Sequence, residues 1–327
     1  MRLAFALTLL TASLLVSTLS SGTVRAQGKY PDRTVKIVVP YPAGGPTDIV
    51  ARLLADRLGR GLGGNFIVEN VAGASATLGA RAVGAAAPDG YSLLLMTQDF
   101  LVQPLVKASV PYDPVKGFVP VSLVGLSPEG IYVNPSVPAK TIAELIAVVK
   151  ANPGKYSYAS PGLGTTPHLA GERLFKLTNS VDIVHVPFQG AAPAINATLG
   201  NHTQVLLIAV GAVAANVRDG SLRALAVGST TRWPTLPDVP TMTESGLPNH
   251  EAEFIVGMMA PTGTPATIVS RLSAEIAKAM TDDEIMKNFE AFGIQPVGST
   301  PEQLAAKMKE VSAGWAKVVQ GAKISAQ

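Results

Sequence analysis

The sequence predicts an α/β fold built in two halves that enclose a cleft, and three observations support this. Short apolar runs alternate with helical patterns over residues 35–110 and again over 156–227. Such alternation is typical of a mostly parallel sheet with right-handed crossovers. A second observation is that an apolar strand, a glycine loop and a helix start follow one another once in each half. The third is a pair of long extended runs, 118–133 and 252–261, which are suited to carrying the chain between the halves.

The first 26 residues are typical of a secretory signal peptide. Arg2 gives a positive start, the segment 3–19 is largely apolar, and the stretch Val24-Arg25-Ala26 ends in a small residue, as a signal peptidase site does. Serine and threonine interrupt the apolar run, which makes it a poor membrane span. We therefore expect cleavage after Ala26 and export of the remaining chain.

The composition argues against several classes of protein. The chain has 26 Lys and Arg residues against 23 Asp and Glu, and the signal segment carries two of the basic residues, so the exported part is close to neutral. The chain lacks the excess of basic residues that would indicate a nucleic-acid partner. The absence of cysteine excludes disulfides, thiolate metal sites and cysteine nucleophiles. We expect a monomer that needs no cofactor.

The opening unit of the fold predicts an anion site. A strand over Val35–Val39 is followed by a loop with Gly44 and Gly45, and a helix restarts at Pro46. Glycine lets a ligand approach the backbone, and the first turn of a helix presents unpaired N–H groups at the positive end of its dipole. Strand, glycine loop and helix start together form the general arrangement for binding an anion. Asp48, in the first turn, is interpreted as a cap for the N–H groups of its own helix rather than as a catalyst.

The next two units place further polar residues at strand ends. A strand over 65–69 leads into the loop 71–76 and a helix over 77–86, and a strand over 91–96 ends at Thr97-Gln98-Asp99. In parallel sheets the ligand lies outside the carboxyl ends of the strands, so these segments are expected to line one crevice with the first loop. The stretch Gly59–Gly64 fits G-x-G-x-x-G, but it follows a helix and precedes a strand, so we interpret it as a helix C-terminus.

The second half repeats the opening pattern. A strand over 156–160 is followed by a glycine loop, 161–165, and by a helix expected over 166–177 with Thr166 as N-cap and Pro167 at the first position. Neither glycine loop carries Arg or Lys, so binding is expected through backbone N–H groups, threonine hydroxyls and bridging water. The remaining predicted elements are strands over 183–186, 204–210 and 222–227, and helices over 141–151, 194–199, 212–217, 264–280, 282–292 and 300 onward, the last with a Thr300–Gln303 capping box.

Catalytic and metal motifs are weak. The four histidines show no metal-ligand spacing. His168, at the second helix start, is expected either to contact ligand or to bond the loop, whereas His185 is expected to be structural. There is no G-x-S-x-G elbow and no phosphate loop. A spatial triad built on Ser160 with a distant histidine and acid stays open.

Several ordered motifs resemble those of one family. They are Val-Val-Pro-Tyr-Pro-Ala-Gly-Gly at 38–45 with Asp48, Glu-Asn-Val-Ala-Gly-Ala at 69–74, Tyr-Ala-Ser-Pro-Gly-Leu-Gly at 158–164 with His168, and Leu-Pro-Asp-Val-Pro-Thr at 236–241. Together they cover essentially the whole exported chain. The sequence resembles the substrate-binding proteins of tripartite tricarboxylate transporters, the Bug family.

The resemblance implies a type II-like periplasmic binding protein of two α/β domains with a ligand cleft between them. It implies one domain of residues 27–122 with 257–327 and a second of 123–256, located in the periplasm. It also implies a small carboxylate ligand, a mono- or dicarboxylate with aromatic acids included, that is delivered to membrane permease subunits. The residues expected to bind it are Tyr41, Pro42, Ala43, Gly44, Gly45, Thr47, Asp48, Ser75, Gln98, Ser160, Gly162, Gly164, Thr165, Thr166, His168, Phe188 and Gln189.

The sequence departs from the family pattern in three places that bear on the ligand. Ala72–Ala76 stands where the family often has Pro-Gly-Ala-Gly-Gly, and Phe188-Gln189 replaces a more usual Tyr-Lys. Gln204 and Ile208 stand in a strand where many members carry acids. An uncharged far wall favours a plain or aromatic carboxylate over a ligand with an amine. Two alternatives stay open at this point: a receptor that only signals the presence of ligand, and a secreted hydrolase that uses Ser160 and His168.

Overall fold

The structure is a computed structural model that describes residues 30–322 and residue 324. The signal peptide predicted for residues 1–26 lies outside the described residues. Within that described part, no helix combines the length and the apolar character needed to cross a membrane.

Strands and helices alternate through both halves, as the sequence predicts. The first half opens with β1 Val35–Val39, α1 Pro46–Leu62, β2 Phe66–Asn70, α2 Thr77–Gly84, β3 Ser92–Thr97 and α3 Asp99–Val106. A long strand, β4 Phe118–Val133, then leads to α4 Ile142–Ala151, β5 Ser157–Ser160, α5 Thr166–Glu172, β6 Val184–Pro187, α6 Ala191–Leu199, β7 Val205–Ala209, α7 Ala214–Arg218 and β8 Arg223–Val227. The chain returns through β9 Glu253–Pro261 to α8 Ala266–Ala279, α9 Asp283–Ala291, β10 Gln295–Pro296 and α10 Pro301–Ala322.

One continuous, curled sheet connects the two halves. Its strand order is β2-β1-β3-β9-β4-β7-β5-β6, and β8 and β10 also pair with β4. The strand β1 is parallel to β2 and β3, and β5 is parallel to β6 and β7. The carboxyl ends of parallel strands lie at the same edge, so the loops after β1, β2 and β3 come together in the first half. The loops after β5 and β6 come together in the second half.

The chain passes between the halves at two adjacent points. The segment Phe118–Pro128 of β4 pairs with β9 in the first half, and Glu129–Val133 pairs with β7 in the second. The N–H of Glu129 donates to the carbonyl of Ala252 at 2.8 Å, and Gly228 donates to the carbonyl of Glu129 at 2.7 Å. Both predicted extended runs are therefore strands, and their crossing points are hydrogen-bonded side by side.

Each half has its own apolar core. In the first half, Val50, Leu54 and Leu58 of α1 are buried against the sheet, at the helical spacing that the sequence shows. In the second half, Tyr158 and Phe175 are fully buried among the side chains of α4, β5 and β7. Burying one large apolar side chain contributes about 1.5–3 kcal/mol to the free energy of unfolding. Each half is therefore stabilised by its own cluster, although both share one sheet.

The helix ends confirm some local predictions and correct others. Thr300 and Gln303 form the predicted capping box, with N···O distances of 2.9 and 3.3 Å. Gly63, with φ +68°, ends α1, so the glycine-rich stretch is a helix C-terminus as predicted. The prediction for the second loop helix is wrong in detail, because Thr165 and not Thr166 is the N-cap, which places Pro167 at the second position. The α-helical pattern also gives way to a π-helical turn, Arg173–Thr178, instead of continuing to residue 177. The predicted 212–217 helix is a 3₁₀ turn, Val210–Ala212, followed by α7.

Candidate functional site

The loop between β1 and α1 presents unpaired backbone donors. Gly44 has φ +83°, which suits glycine, and Gly45 is the extended N-cap residue of α1. Within the described part of the chain, the N–H groups of Gly45 and Thr47 have no hydrogen-bond acceptor. They lie at the positive end of a 17-residue helix that begins with Pro46. This loop therefore has the free donors that an anion requires.

Asp48 holds this loop in place from behind. Its side chain is 2% exposed, and it accepts hydrogen bonds from the Gly44 N–H at 2.9 Å, from Arg52 at 2.9 and 3.0 Å, and from Asn70 at 2.9 Å. Burial raises the pKa of Asp48, but the bonds from Arg52, Gly44 and Asn70 outweigh it and hold the pKa below its usual range. The interpretation of Asp48 as a cap for its own helix is wrong in detail, because it binds the loop before the helix and the end of β2.

Tyr41 connects the first loop to the end of β3. Its hydroxyl lies 2.5 Å from the Thr97 hydroxyl and donates to a carboxylate oxygen of Asp99 at 3.1 Å. The carbonyl of Tyr41 accepts from Asn70 at 3.1 Å. The strand ends that the sequence places in one crevice are thus joined by direct hydrogen bonds.

The glycine loop of the second half differs from the first, because most of its donors are already used. Gly162 donates to the Ser160 hydroxyl at 3.3 Å, Gly164 to Nδ1 of His168 at 3.0 Å, and Thr165 to the carbonyl of Gly162 at 3.4 Å. The two loops follow the same sequence pattern, but open donors remain mainly in the first. Of the two expected roles of His168, its hydrogen bond with the loop is present, and its imidazole is 5% exposed.

Asp99 is a carboxylate between the two loops that sequence reasoning left out of the site. One of its oxygens accepts from the backbone N–H of Thr166 at 3.2 Å, at the first position of α5. The other accepts from Tyr41. Asp99 therefore links the first half to the second across the cleft. Burial raises the pKa of Asp99, which the hydrogen bonds from Thr166 and Tyr41 partly offset. In the sequence, Asp99 directly follows Gln98 at the end of a strand, and this position alone indicates a place in the site.

Gln98 belongs to a buried polar group beneath the cleft. It is 1% exposed, and its Nε2 lies 3.4 Å from Oε1 of Glu129, which is 3% exposed. Oε1 of Gln98 and Oε2 of Glu129 have no hydrogen-bond partner among the described residues. Burial, and next the charge of Asp99, raise the pKa of Glu129 well above its usual range. Burial therefore favours the protonated form of Glu129.

The loop before α2 combines an unusual backbone with a nearby cation. Ala74, Ser75 and Ala76 have φ of +50°, +55° and +71°, a left-handed run that costs non-glycine residues about 1–2 kcal/mol each. Nζ of Lys107 donates to the carbonyl of Ala74 at 2.8 Å. The glycine loops themselves carry no basic residue, but the fold brings Lys107 to this loop and Arg52 to the first. The contact of Lys107 spans 33 positions and is not visible in the local sequence, whereas Arg52 follows Asp48 by one helical turn.

Ser160 and the histidines do not form a hydrolytic triad. The Ser160 hydroxyl lies 2.7 Å from Nε2 of His185, not of His168 as the hydrolase alternative requires. His168 stacks on His185 with ring centroids 4.1 Å apart. Burial, and next the neighbouring His168, lower the pKa of His185 to about 3, so this imidazole is a weak base. Ser160 is fully buried, and within the described chain no carboxylate bonds to His185 to orient it.

The residues after β6 lie beside the second loop. Phe188 donates its N–H to the carbonyl of Ser160 at 3.0 Å, and its ring packs against the second-half core. Gln189 is exposed next to it. Among residues 30–322 and 324, no group of three or more His, Asp or Glu side chains is arranged to hold a metal ion. The predicted site residues thus fall into two facing groups, linked by Asp99.

Comparison with known proteins identifies relatives over nearly the full length. A family model described as "tripartite tricarboxylate transporter family receptor" matches residues 50–324. The protein BugT of Bordetella pertussis is 37% identical over 299 residues, which cover 90% of this chain and 91% of BugT. The solved structure of the periplasmic binding protein BugD is 37% identical, with a TM-score of 0.84 over 91% of this chain and 100% of that one.

A third relative was solved with a ligand. The structure of Rpa4515 from R. palustris with adipate is 32% identical and has a TM-score of 0.85 over 90% of this chain and 99% of that one. The two-half α/β fold is therefore that of periplasmic solute-binding proteins of this type. The chain belongs to the family of tripartite tricarboxylate transporter receptors, as its motifs indicate.

Proposed function

We propose that this protein captures a small organic carboxylate in the cleft and delivers it to the membrane permease of a tripartite tricarboxylate-type transporter. The observation that carries the proposal is the pair of unpaired N–H groups of Gly45 and Thr47 at the N-terminus of α1. A carboxylate placed there gains two charge-assisted hydrogen bonds and the field of the helix. The adipate in Rpa4515 supports a ligand of this chemical class.

The two loops have different roles in this proposal. Gly44, Gly45 and Thr47 contact the carboxylate, whereas Asp48 fixes the loop and Tyr41 connects it to Asp99. The second loop, with Thr165 and the neighbouring Phe188 and Gln189, closes over the ligand and contributes hydroxyl and water-mediated contacts. Its four bonded residues, Ser160, Gly162, Gly164 and His168, keep the shape of that wall. Ser75 and Gln98 complete the first-half wall and the floor, and Thr166 anchors Asp99.

Closure follows from the two crossing points. We propose that residues 27–122 with 257–327 move as one domain and residues 123–256 as the other. The hydrogen bonds that join Glu129, Ala252 and Gly228 place both connections side by side, which suits a hinge. The N–H of Thr166 donates to Asp99 between the two halves, and in this proposal that bond forms as the domains close.

The same proposal covers location and partners. A chain cleaved after Ala26 acts in the periplasm as a monomeric receptor without enzymatic activity. A receptor that only signals ligand presence requires the same binding event and differs in the membrane partner. The buried Ser160 and the weakly basic His185 give the hydrolase alternative no support.

A thermal-shift panel of monocarboxylates, dicarboxylates, tricarboxylates, aromatic acids and amino acids tests ligand binding. A ligand at about 100 times its Kd adds about 2.7 kcal/mol to the free energy of unfolding. At least one carboxylate is expected to raise the Tm in a concentration-dependent way. If none of them shifts the Tm, the carboxylate proposal is wrong.

The variant Gly45→Val tests the location of the site. A Cβ at Gly45 meets only the carbonyl oxygen of Pro42, at 3.7 Å, and φ is −80°, so the loop accepts a side chain without strain. The side chain then occupies the space in which the ligand approaches the donors, and carboxylate binding is expected to be lost while the Tm of the free protein stays near wild type. Gly314→Val, on the exposed side of α10 with open space around it, is the matched control. Unchanged affinity in Gly45→Val would place the ligand elsewhere.

A further inference from the structure

The C-terminal helix α10 contacts both halves of the molecule. Near its start, Leu304 and Met308 are buried in the core of the first half. Near its end, Trp315 and Val318 are buried in one apolar cluster with Leu169 of α5, which belongs to the second half. The helix has 22 residues and is therefore about 33 Å long, at 1.5 Å per residue. This length takes α10 from one core to the other.

Between these two ends, α10 is attached to the hinge. Nζ of Lys307 lies 2.8 Å from a carboxylate oxygen of Glu253, the first residue of β9, and both side chains are largely buried. The residue before β9, Ala252, belongs to the same apolar cluster as Trp315, and its carbonyl accepts from Glu129 at the crossing point. The strand β9 is one of the two connections between the halves, so α10 lies along the segment on which the halves turn.

Arg173 connects the second half to the end of α10. It is the first residue of the π-helical turn that continues α5, and π-helical turns are frequent at functional sites. Its guanidinium carbon lies 5.1 Å from the centre of the Trp315 ring, within the range of a cation–π contact. A guanidinium nitrogen also donates to the carbonyl of Glu251 at 3.0 Å, beside the hinge. Leu177, in the same turn, lies beside Gly321 of α10, where a Cβ on the glycine would be 3.5 Å from a leucine methyl group. The irregular turn is thus the part of the second half that faces the end of α10.

These contacts occur in the arrangement in which the cleft is bridged. Asp99 accepts from the N–H of Thr166 at the start of α5, and Gln103, one turn further along α3, donates to the carbonyl of Gly164 at 3.0 Å. The helix α5 therefore contacts α3 at its start and α10 at its end. In the proposed division α10 moves with the first domain, so a rotation that opens the cleft moves α5 relative to Trp315. Packed interfaces do not deform continuously, and exposing part of a tryptophan to water is unfavourable, so this packing opposes opening.

We propose that α10 is a strap that holds the two halves in the closed arrangement, with the contact of Trp315 and Arg173 as its attachment to the second half. The inference rests on the two-domain closure of the proposed function and adds the element that sets its equilibrium. Neither residue is among those proposed to contact the carboxylate. Both are positioning residues, because they act on the cleft through the placement of α5.

Double electron–electron resonance between two spin labels on the ligand-free protein tests the proposal. The chain contains no cysteine, so Ala82→Cys and Asn196→Cys, both at exposed positions, provide two specific labelling sites. They lie on α2 and α6, the helices that follow a cleft loop in the first and in the second half. The wild type is expected to show mainly the shorter of two distances. Arg173→Met is expected to raise the ratio of open to closed molecules roughly threefold to thirtyfold, the effect of one cation–π contact, and Trp315→Leu is expected to raise it at least as much.

Trp233→Leu is the matched control. Trp233 is the other tryptophan of the chain and is buried in a cluster of second-half residues, so its loss lowers stability without removing the attachment of α10. The ratio should stay at the wild-type value in this variant. Equal opening in Trp233→Leu would overturn the inference, because any loss of stability would then loosen the halves.

Two further results would contradict the strap. One is a wild-type distribution dominated by the longer distance, and the other is an unchanged ratio in Arg173→Met, which decides the question if Trp315→Leu does not fold. Because no ligand is added, these outcomes are separate from a failure of carboxylate binding, which the thermal-shift panel measures.

Discussion

At the scale of single residues, two carboxylates beside the first loop show what a sequence does and does not reveal. Asp48 is held by Arg52, one helical turn away, so its structural role is accessible from sequence. Asp99 binds Tyr41 and Thr166, which are 58 and 67 positions away. Local patterns carry no information on such contacts. As a result the sequence predicts two equivalent anion loops, whereas Asp99 and the second loop's own acceptors leave open donors mainly in the first.

Asp48→Asn is expected to destabilise the protein by about 1–3 kcal/mol. The substitution keeps the size of the side chain but removes the charge that holds Arg52, Asn70 and the Gly44 N–H, and it leaves buried donors mismatched. Urea unfolding measures the effect. Carboxylate affinity is expected to fall with it, because the first loop loses its support.

Asp56→Asn is the matched control for Asp48→Asn. Asp56 and Arg60 also form an Asp–Arg ion pair four positions apart on α1, but both side chains are more than half exposed. Exposed pairs of this kind contribute about 0–1 kcal/mol. Equal losses in the two variants would show that Asp48 acts only as a surface ion pair and does not hold the loop.

At the scale of elements, the order of strands and helices follows from alternating patterns, glycine loops and caps. The Thr300–Gln303 capping box is present as predicted. Thr141, expected as the first residue of the helix 141–151, is instead the N-cap of α4. The backbone of residues 74–76 could not be predicted, because Ala-Ser-Ala has no preference for the left-handed region. The helix that follows this run packs closely on the end of β1, where a Cβ on Gly79 would lie 2.8 Å from Cβ of Pro40.

Ala74→Gly is expected to stabilise the protein by about 0.5–1 kcal/mol. Ala74 is exposed and has φ +50°, so glycine relieves strain, although it costs some entropy in the unfolded chain. Ala82→Gly makes the same chemical change at an exposed position inside α2 and should destabilise by about 0.5–1 kcal/mol. Chemical unfolding of both variants compares the signs. A loss of stability in both would mean that the left-handed run carries no strain.

At the scale of the whole molecule, Glu129 occupies the point where the two halves join. The sequence indicates that β4 is a long extended run, but it does not show that a carboxyl group on it is enclosed. The backbone of Glu129 bonds Ala252 and Gly228, and its side chain faces Gln98 in the buried polar group. An ionised carboxylate there would lack solvation and would also lie near Asp99. Folding therefore favours the protonated form of Glu129.

Glu129→Gln is expected to change the dependence of stability on pH. Because burial raises the folded-state pKa above the ordinary value of 4.5, the folded protein holds a proton that the unfolded chain releases. In the wild type, the contribution of Glu129 to the free energy of unfolding is fully present below pH 4.5. It decreases by about 1.4 kcal/mol per pH unit as pH rises toward the folded-state pKa. Glutamine cannot ionise, so the free energy of unfolding of the variant should rise relative to wild type between pH 5 and pH 8. Urea unfolding at each pH measures this difference. Glu310→Gln, an exposed control, should keep the wild-type profile. A Glu129→Gln profile parallel to wild type would mean that Glu129 is already ionised and solvated, and that the two halves do not enclose it.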